Sequence, residues 1–256
     1  MTAASPRAAE AGPAVVPAQA QHPGRRAEQE DACGFSRADD AAFVAHAGHL
    51  AVLADGMGGG PNGRWASAQA VQAFIEAYHA KSADEAIPDA LRRALDAANR
   101  LVHEQAAQQN AVDRMGTTLV AAVVHDGHLH WLGVGDSRAY RFDPQLTPRL
   151  LQLTVDHRYG ALLEERVARG ELSTGEALAH PLRDALTSYL GRARVPQCDA
   201  STSPDPLGPG ALVLLCSDGL TAALDDATLV RRPPTAALFP GPPALRARLP
   251  PRALAR

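Results

Sequence analysis

The sequence has few cysteines, few aromatic residues, one lysine and no long apolar run. Its three cysteines, Cys33, Cys198 and Cys216, lie far apart without a C-x-x-C pair, which argues against a disulfide framework or a zinc knuckle. No apolar stretch reaches the about 18 residues of a transmembrane helix, and Glu10 with nearby prolines interrupts any signal-peptide core. We therefore expect a soluble chain in a reducing, cytoplasmic setting, with no membrane partner.

Acidic and basic residues are unevenly distributed along the chain. The net charge of −3 gives no general reason to expect a nucleic-acid partner. Residues 231–256 hold six arginines, seven prolines and no acidic residue, so residues 1–230 carry a charge of −9. An acidic body of this kind is compatible with a divalent-cation site. The tail 231–256 and the Ala- and Pro-rich leader 1–23 lack helical or strand periodicity, and we predict that both are disordered.

Apolar periodicity predicts a mixed domain between residues 24 and 230. Strands are predicted where the chain is apolar or β-branched, at residues 49–54, 116–125, 128–134, 137–142 and 211–216. Helices are predicted at residues 64–80, 89–109 and 158–170, and a further helix is expected to begin near Thr221. Asp126-Gly127 predicts a tight hairpin, whereas Pro144 and Pro148 are expected to break the chain after residue 142. The result is an α+β fold of antiparallel hairpins covered by paired helices.

Acidic residues stand at the ends of several predicted strands, most of them beside glycine. They occur in four places: Glu30-Asp31, Asp55-Gly56, Gly135-Asp136 and Asp218-Gly219. Taken one at a time, an Asp-Gly pair is a common turn and a Glu-Asp pair is usually solvated. Taken together, carboxylates at the ends of adjacent strands can converge on one point. Hard cations such as Mg²⁺ and Mn²⁺ prefer oxygen ligands of this kind.

Seven short segments, in order, resemble the motifs of the PPM-type (type 2C) metal-dependent Ser/Thr protein phosphatases. They are Arg26-x-x-Gln-Glu-Asp31, Asp55-Gly-Met-Gly-Gly59, Met115-Gly-Thr-Thr118, Gly133-Val-Gly-Asp-Ser-Arg138, Leu153-Thr-Val-Asp-His157, Leu186-Thr-Ser-Tyr-Leu-Gly191 and Ser217-Asp-Gly-Leu220. The resemblance covers residues 24–230, which we therefore predict to be a phosphatase domain. It implies a four-layer α-β-β-α sandwich, in which two antiparallel sheets pack face to face with helices outside.

The resemblance also implies a metal site. It implies two Mn²⁺ or Mg²⁺ ions, with room for a third, and a water that they activate to attack phosphorus. The implied catalytic residues are Asp55, which would bridge the ions, and Arg26, which would bind the substrate phosphate. Asp136 together with Asp218 would build the third, weaker site. The implied metal-binding set is Glu30, Asp31, Asp55, Gly56, Asp136 and Asp218.

The activity implied by the resemblance is hydrolysis of phosphoserine and phosphothreonine. The implied partners are phosphorylated proteins and a cognate Ser/Thr kinase whose action the enzyme reverses, and a monomer is expected. Residues 158–191 would form a flap beside the cleft. Arg138, Asp156 and His157 are predicted to orient strands rather than to act directly.

The chain departs from the family pattern in three places. Gln29 replaces the usual asparagine, a mild change, and Met57 stands where animal members have a candidate proton donor, so the general acid is unassigned. After Leu220 the family continues to an Asp-Asn pair and a final apolar strand, whereas this chain enters its Pro/Arg tail. We therefore expect one metal ligand and the last strand to be missing, and a frame-shifted tail would explain the loss.

Two alternatives to a phosphatase that opposes a Ser/Thr kinase stay open. The first is a catalytically weakened pseudophosphatase that acts as a phosphoprotein-binding or regulatory module. The second is a family branch acting on a phosphorylated anti-sigma antagonist, which would call for an attached sensor domain.

Overall fold

Two antiparallel sheets form the framework of the molecule. The structure is a computed structural model, and it describes residues 15–24, 28–145, 147–224 and 228–229. Its elements are, in chain order, β1 (Asp31–Phe35), α1 (Ala41–Ala47), β2 (His49–Met57), α2 (Pro61–His79), α3 (Ile87–Gln108), β3 (Gly116–Thr117), β4 (Leu119–His125), β5 (His128–Val134), β6 (Arg138–Asp143), β7 (Thr147–Gln152), α4 (Tyr159–Ala168), α5 (Thr174–Leu178), β8 (Asp199–Ala200), β9 (Asp205–Pro206), β10 (Leu212–Cys216) and α6 (Asp218–Ala223).

The larger sheet has the strand order β1-β2-β4-β5-β8, with β3 paired to β2 and β9 paired to β5. Strand β2 alternates between half-buried and buried residues, and β4 is buried along most of its length. Both patterns follow from apolar side chains that face a core on one or both sides of the sheet. At the β4–β5 turn, Asp126 and Gly127 have φ values of 47° and 71°. Two positive φ values in a two-residue turn confirm the predicted hairpin.

The smaller sheet has the order β10-β6-β7, and β6 and β10 contact β4 of the larger sheet. The prediction of two antiparallel sheets packed on each other, with helices, is therefore confirmed. The expectation that Pro144 and Pro148 would break the chain after residue 142 is confirmed for Pro144, which lies in the turn after β6, and was wrong for Pro148. Strand β7 contains Pro148 and pairs with β6 at the edge of the described sheet. An edge strand tolerates proline because one side of its backbone needs no ladder hydrogen bond.

Helices α2 and α3 pack on each other, and α2 covers β1 and β2. Both begin with a proline in the first turn, Pro61 and Pro88, where the missing N–H leaves no helix hydrogen bond unmade. The inner face of α2 buries Phe74 and Tyr78, and the Tyr78 hydroxyl donates to the Ala47 carbonyl at 2.7 Å. The helices predicted at 64–80 and 89–109 are confirmed and start a few residues earlier than the periodicity indicated.

Residues 158–191 form the flap segment and hold α4 and α5. Helix α4 ends near Gly170, which has a φ of 72° and terminates the helix as predicted. Ser173 and Glu176 form a capping box at the start of α5. The chain then returns to the core, where Leu190 bridges to Thr117.

Several predictions concern residues that the structure does not describe. The tail 231–256, the first 14 residues of the leader and the predicted absence of a last strand lie outside the described residues. Helix α6 begins at Asp218, three residues before the predicted start near Thr221. In the described ranges, no helix is long and apolar enough to cross a bilayer.

Candidate metal centre

Four aspartates from both sheets meet at one end of the sandwich. Asp31 and Asp55 lie directly opposite each other in the antiparallel register of β1 and β2. Asp136 follows β5, and Asp218 is the first residue of α6, just beyond β10. We call Asp31, Asp55, Asp136 and Asp218 the four-carboxylate cluster. Their sequence positions span 188 residues, and only the pairing of strands brings them together.

The carboxylates of this cluster repel one another electrostatically. Burial, followed by the negative charges of Asp31 and Asp218, raises the pKa of the Asp55 carboxyl to about 8. Burial and the charge of Asp218 likewise raise the pKa of Asp136 to about 6, against an opposing effect of Arg158. Ionising all four groups is therefore unfavourable unless a cation offsets their charge.

The chemistry of the cluster fits a hard divalent cation. Its donors are carboxylate oxygens, which Mg²⁺ and Mn²⁺ prefer over imidazole or thiolate. Among the residues that the structure describes, no three His, Cys, Asp or Glu side chains are already gathered as a metal-holding group. The match to such an ion therefore rests on the donor atoms of the cluster.

Two threonines fix the backbone of Asp55, and no role was predicted for either from the sequence. The Thr118 hydroxyl accepts from the Asp55 N–H at 2.9 Å, and the Thr117 hydroxyl donates to the Asp55 carbonyl at 2.8 Å. The Thr118 N–H also donates to that carbonyl at 2.9 Å. The Thr118 hydroxyl further bonds the hydroxyl of Ser137, beside Asp136, at 2.7 Å. The Met115–Thr118 segment therefore holds Asp55 in place and links it to the Asp136 loop.

Gly56 follows Asp55 at a point where no side chain fits. A Cβ there would lie 2.1 Å from the Gly63 carbonyl oxygen and 2.8 Å from that of Glu30. Helix α2 therefore packs its first turn directly against the backbone of β2. This close approach leaves glycine as the residue that the position accepts.

Glu30 lies beside the start of α2. Its carboxylate accepts from the Gly60 N–H at 2.5 Å, and Gly60 is the N-cap of that helix. A carboxylate at a helix N-terminus is favoured by the unpaired N–H groups and the helix dipole. The role of Glu30 as a metal ligand stays a prediction.

Asp31 is connected to the loop that carries Asp218. Its Oδ2 accepts from the Ser217 hydroxyl and from the Gln29 side-chain amide, both at 2.9 Å. Ser217 therefore joins the end of β10 to the start of β1. Gln29, which replaces the usual asparagine, keeps a donor for Asp31.

The three residues predicted to orient strands form hydrogen bonds on either side of Asp136. Arg138 donates from Nε and Nη2 to the two oxygens of Asp156, each at 2.7 Å. The His157 N–H donates to the Gly135 carbonyl at 2.9 Å, and its Nδ1 accepts from the Gly135 N–H at 3.1 Å. His157 therefore holds the loop just before Asp136, and Asp156 holds Arg138 just after it. Arg26, the predicted phosphate-binding residue, lies outside the described residues.

Comparison with known proteins identifies the family. Residues 18–240 match the family model of protein phosphatase 2C. The chain is 35% identical over 175 residues to the serine/threonine phosphatase stp of Listeria monocytogenes, covering 67% of this chain and 66% of the relative. It is 34% identical over 182 residues to the protein phosphatase PhpP of Streptococcus pneumoniae, covering 70% of each. The chain thus spans about two thirds of the length of these curated relatives.

Solved structures agree with this match. The serine/threonine phosphatase Stp1 of Staphylococcus aureus superposes with a TM-score of 0.67 at 26% identity, over 94% of this chain and 89% of that one. The S. agalactiae serine/threonine phosphatase gives a TM-score of 0.66 at 27% identity, over 81% and 80%. The fold and family predicted from the seven segments are thereby confirmed. The chain belongs to the protein phosphatase 2C family of metal-dependent serine/threonine phosphatases.

Proposed function

We propose that this protein hydrolyses phosphoserine and phosphothreonine on proteins in a reaction that depends on Mn²⁺ or Mg²⁺. The observation that carries the proposal is the four-carboxylate cluster, an all-oxygen donor set contributed by both sheets. Family membership supports the same reaction, because the relatives bear the names of serine/threonine phosphatases.

The cluster suggests how two ions would be shared. Asp55 is the central carboxylate, because the negative charges of Asp31, Asp218 and Asp136 all act on it. It would bridge both ions. The Gly56 carbonyl would be a ligand of one ion and Asp218 a ligand of the other, with Asp31 and Glu30 contributing through water. Asp136 and Asp218 would hold a third, outer ion. When bound, such ions would lower the pKa of a coordinated water and offset negative charge on the phosphate.

The remaining residues position these groups. Thr117 and Thr118 hold the Asp55 backbone, so its carboxylate need not reorganise during the reaction. The Ser217–Asp31 hydrogen bond joins the two sheets at the site. Arg26 would bind the phosphate with its forked donors, a role that rests on the sequence motif alone. The proton donor to the leaving oxygen is unassigned.

The partners follow from this reaction. The substrates would be phosphorylated proteins, and the enzyme would oppose a cognate Ser/Thr kinase. We keep the expectations of a monomer in a cytoplasmic setting with no nucleic-acid or membrane partner. The pseudophosphatase alternative receives no support from the relatives' names.

Hydrolysis of a phosphoserine peptide and of p-nitrophenyl phosphate tests the proposal. Activity should require Mn²⁺ or Mg²⁺, disappear with EDTA, and fall at least about 100-fold in Asp55→Asn. Asp126→Asn makes the same change in an exposed turn and should leave activity intact. Equal rates in wild type and Asp55→Asn would remove the enzymatic function from this site.

A further inference from the structure

One arginine of the flap segment reaches into the candidate metal centre. Arg158 precedes α4, and its Nε lies 4.0 Å from Oδ2 of Asp136. Its Nη2 donates to Asp156 Oδ2 at 2.5 Å. The guanidinium therefore lies between two carboxylates, one of which is a proposed ligand of the outer ion.

The backbone of Arg158 forms the base of the flap. Its N–H donates to the Asp156 carbonyl at 3.0 Å, and the residue forms an isolated bridge to Leu186 on the returning chain. The next two N–H groups, of Tyr159 and Gly160, donate to carbonyls of Ala185 and Arg183 at 2.9 and 2.8 Å. The outgoing and returning chains of the flap are therefore joined where the Arg158 side chain turns inward.

Arg158 supplies the positive charge that faces Asp136. Burial and the negative charges of Asp218 and Asp156 raise the pKa of Asp136, whereas Arg158 lowers it. The other nearby arginine, Arg138, donates to Asp156 and to the Tyr140 hydroxyl instead. In the described part of the chain, the ion pair to Asp136 comes from Arg158.

We propose that Arg158 is a tethered counter-cation that competes with the outer metal ion for Asp136, and so couples occupancy of that ion to the base of the flap. This inference rests on the proposed role of Asp136 as a metal ligand. A guanidinium and a divalent ion cannot both take the same carboxylate oxygen at full strength. Because coupling is reciprocal, an ion at Asp136 releases Arg158, and the Arg158 pair weakens that ion.

Mn²⁺ titration by calorimetry separates the role of Arg158 from the role of Asp136 in metal binding. In Arg158→Gln, the affinity of the weakest Mn²⁺ site should rise at least about 5-fold, and Arg158→Lys should restore much of the wild-type value. Arg166→Gln removes the same charge from α4, where Arg166 faces Glu171 at 3.6 Å, and should leave Mn²⁺ affinity unchanged. Asp136→Asn should abolish the weakest site.

Each outcome decides between the two claims. If Asp136→Asn abolishes the weakest site but Arg158→Gln binds it as wild type does, the competition is wrong and the metal role of Asp136 stands. If Asp136→Asn leaves all Mn²⁺ sites intact, the metal role of Asp136 fails and the competition with it. Loss of activity in Asp55→Asn reports on the proposed reaction independently of both.

Hydrogen exchange tests the coupling to the flap. Saturating Mn²⁺ should speed exchange of the Tyr159 and Gly160 amides in wild type and leave these rates unchanged in Arg158→Gln. Exchange that is unaltered or slowed by Mn²⁺ in wild type would overturn the coupling, even where the affinities support competition.

Discussion

The two sheets contribute unequal halves of the candidate metal centre. The larger sheet buries β4 almost completely, lies under α2, and places Asp31 and Asp55 opposite each other. The smaller sheet supplies Asp218 at the end of β10, whose residues are mostly half-buried. A more buried half and a less buried half therefore share one site. The comparison predicts that damage to the larger sheet unfolds the protein, whereas damage near β10 acts first on the site.

The largest expected effect distinguishes the packing of α2 on the larger sheet from the packing of β10 in the smaller sheet. Phe74→Ala removes a fully buried ring from α2 and should lower the free energy of unfolding by about 3–5 kcal/mol. Leu214→Ala in half-buried β10 should cost only about 1–2 kcal/mol. Urea denaturation in EDTA measures both. Equal losses would show that the two sheets are equally well packed.

The next effect concerns the carboxylate repulsion on the larger sheet. Because the pKa of Asp55 in the folded protein is about 8, above its ordinary value of 3.8, the folded state holds the proton more tightly. Wild-type stability should therefore fall relative to Asp55→Asn as pH rises from about 4 to about 8. In EDTA at pH 8 we expect the variant to be more stable by on the order of 2–3 kcal/mol, after discounting for solvent screening.

Thermal unfolding of both proteins across this pH range measures that difference. Asp126→Asn serves as the exposed control. A constant difference between wild type and Asp55→Asn from pH 4 to pH 8 would contradict the raised pKa of Asp55.

A smaller effect is expected at Thr118, which holds the backbone of Asp55. Thr118→Val keeps the side-chain shape but leaves the Asp55 N–H without its acceptor, which should cost about 1–2 kcal/mol. It should also reduce turnover, since the hydroxyl links Asp55 to the Asp136 loop. Thr118→Ser keeps the hydroxyl and should retain most of both properties. Identical behaviour of the valine and serine variants would assign Thr118 to packing alone.

The smallest effect lies at the junction of the sheets. Ser217→Ala removes one of the two donors to Asp31 and should cost about 1 kcal/mol, because Gln29 still donates to the same oxygen. Ser217→Thr keeps the hydroxyl and is the matched control. A Mn²⁺ affinity that changes more in Ser217→Ala than in Asp136→Asn would show that the smaller sheet governs the site.

Short-range signals in the sequence predicted much of the fold. The β4–β5 hairpin followed from Asp126-Gly127, and the paired helices followed from their apolar spacing. Helix α1 was missed although Asp40 caps it, its Oδ1 accepting from the Phe43 N–H at 3.0 Å, because seven residues give too short a periodic signal. Strand β7 was missed because its edge position, which tolerates Pro148, depends on pairing that local sequence does not encode.

The site was predicted in its residue types but not in its contacts. The order of motifs named the acids, and the structure brings Asp31, Asp55, Asp136 and Asp218 together. The support of Asp55 by Thr118 joins residues 63 apart, and the approach of Arg158 to Asp136 depends on how the flap leaves the core. Such long-range contacts arise from tertiary packing, which periodicity does not report.

Calorimetric titration of the metal-free protein with Mn²⁺ tests the central claim most directly, because it asks whether the four-carboxylate cluster is a metal centre. Wild type should bind at least two equivalents, and Asp55→Asn, with the bridging carboxylate gone, should lose the tight binding while remaining folded. Absence of Mn²⁺ binding in wild type, or unchanged binding in Asp55→Asn, would contradict the account.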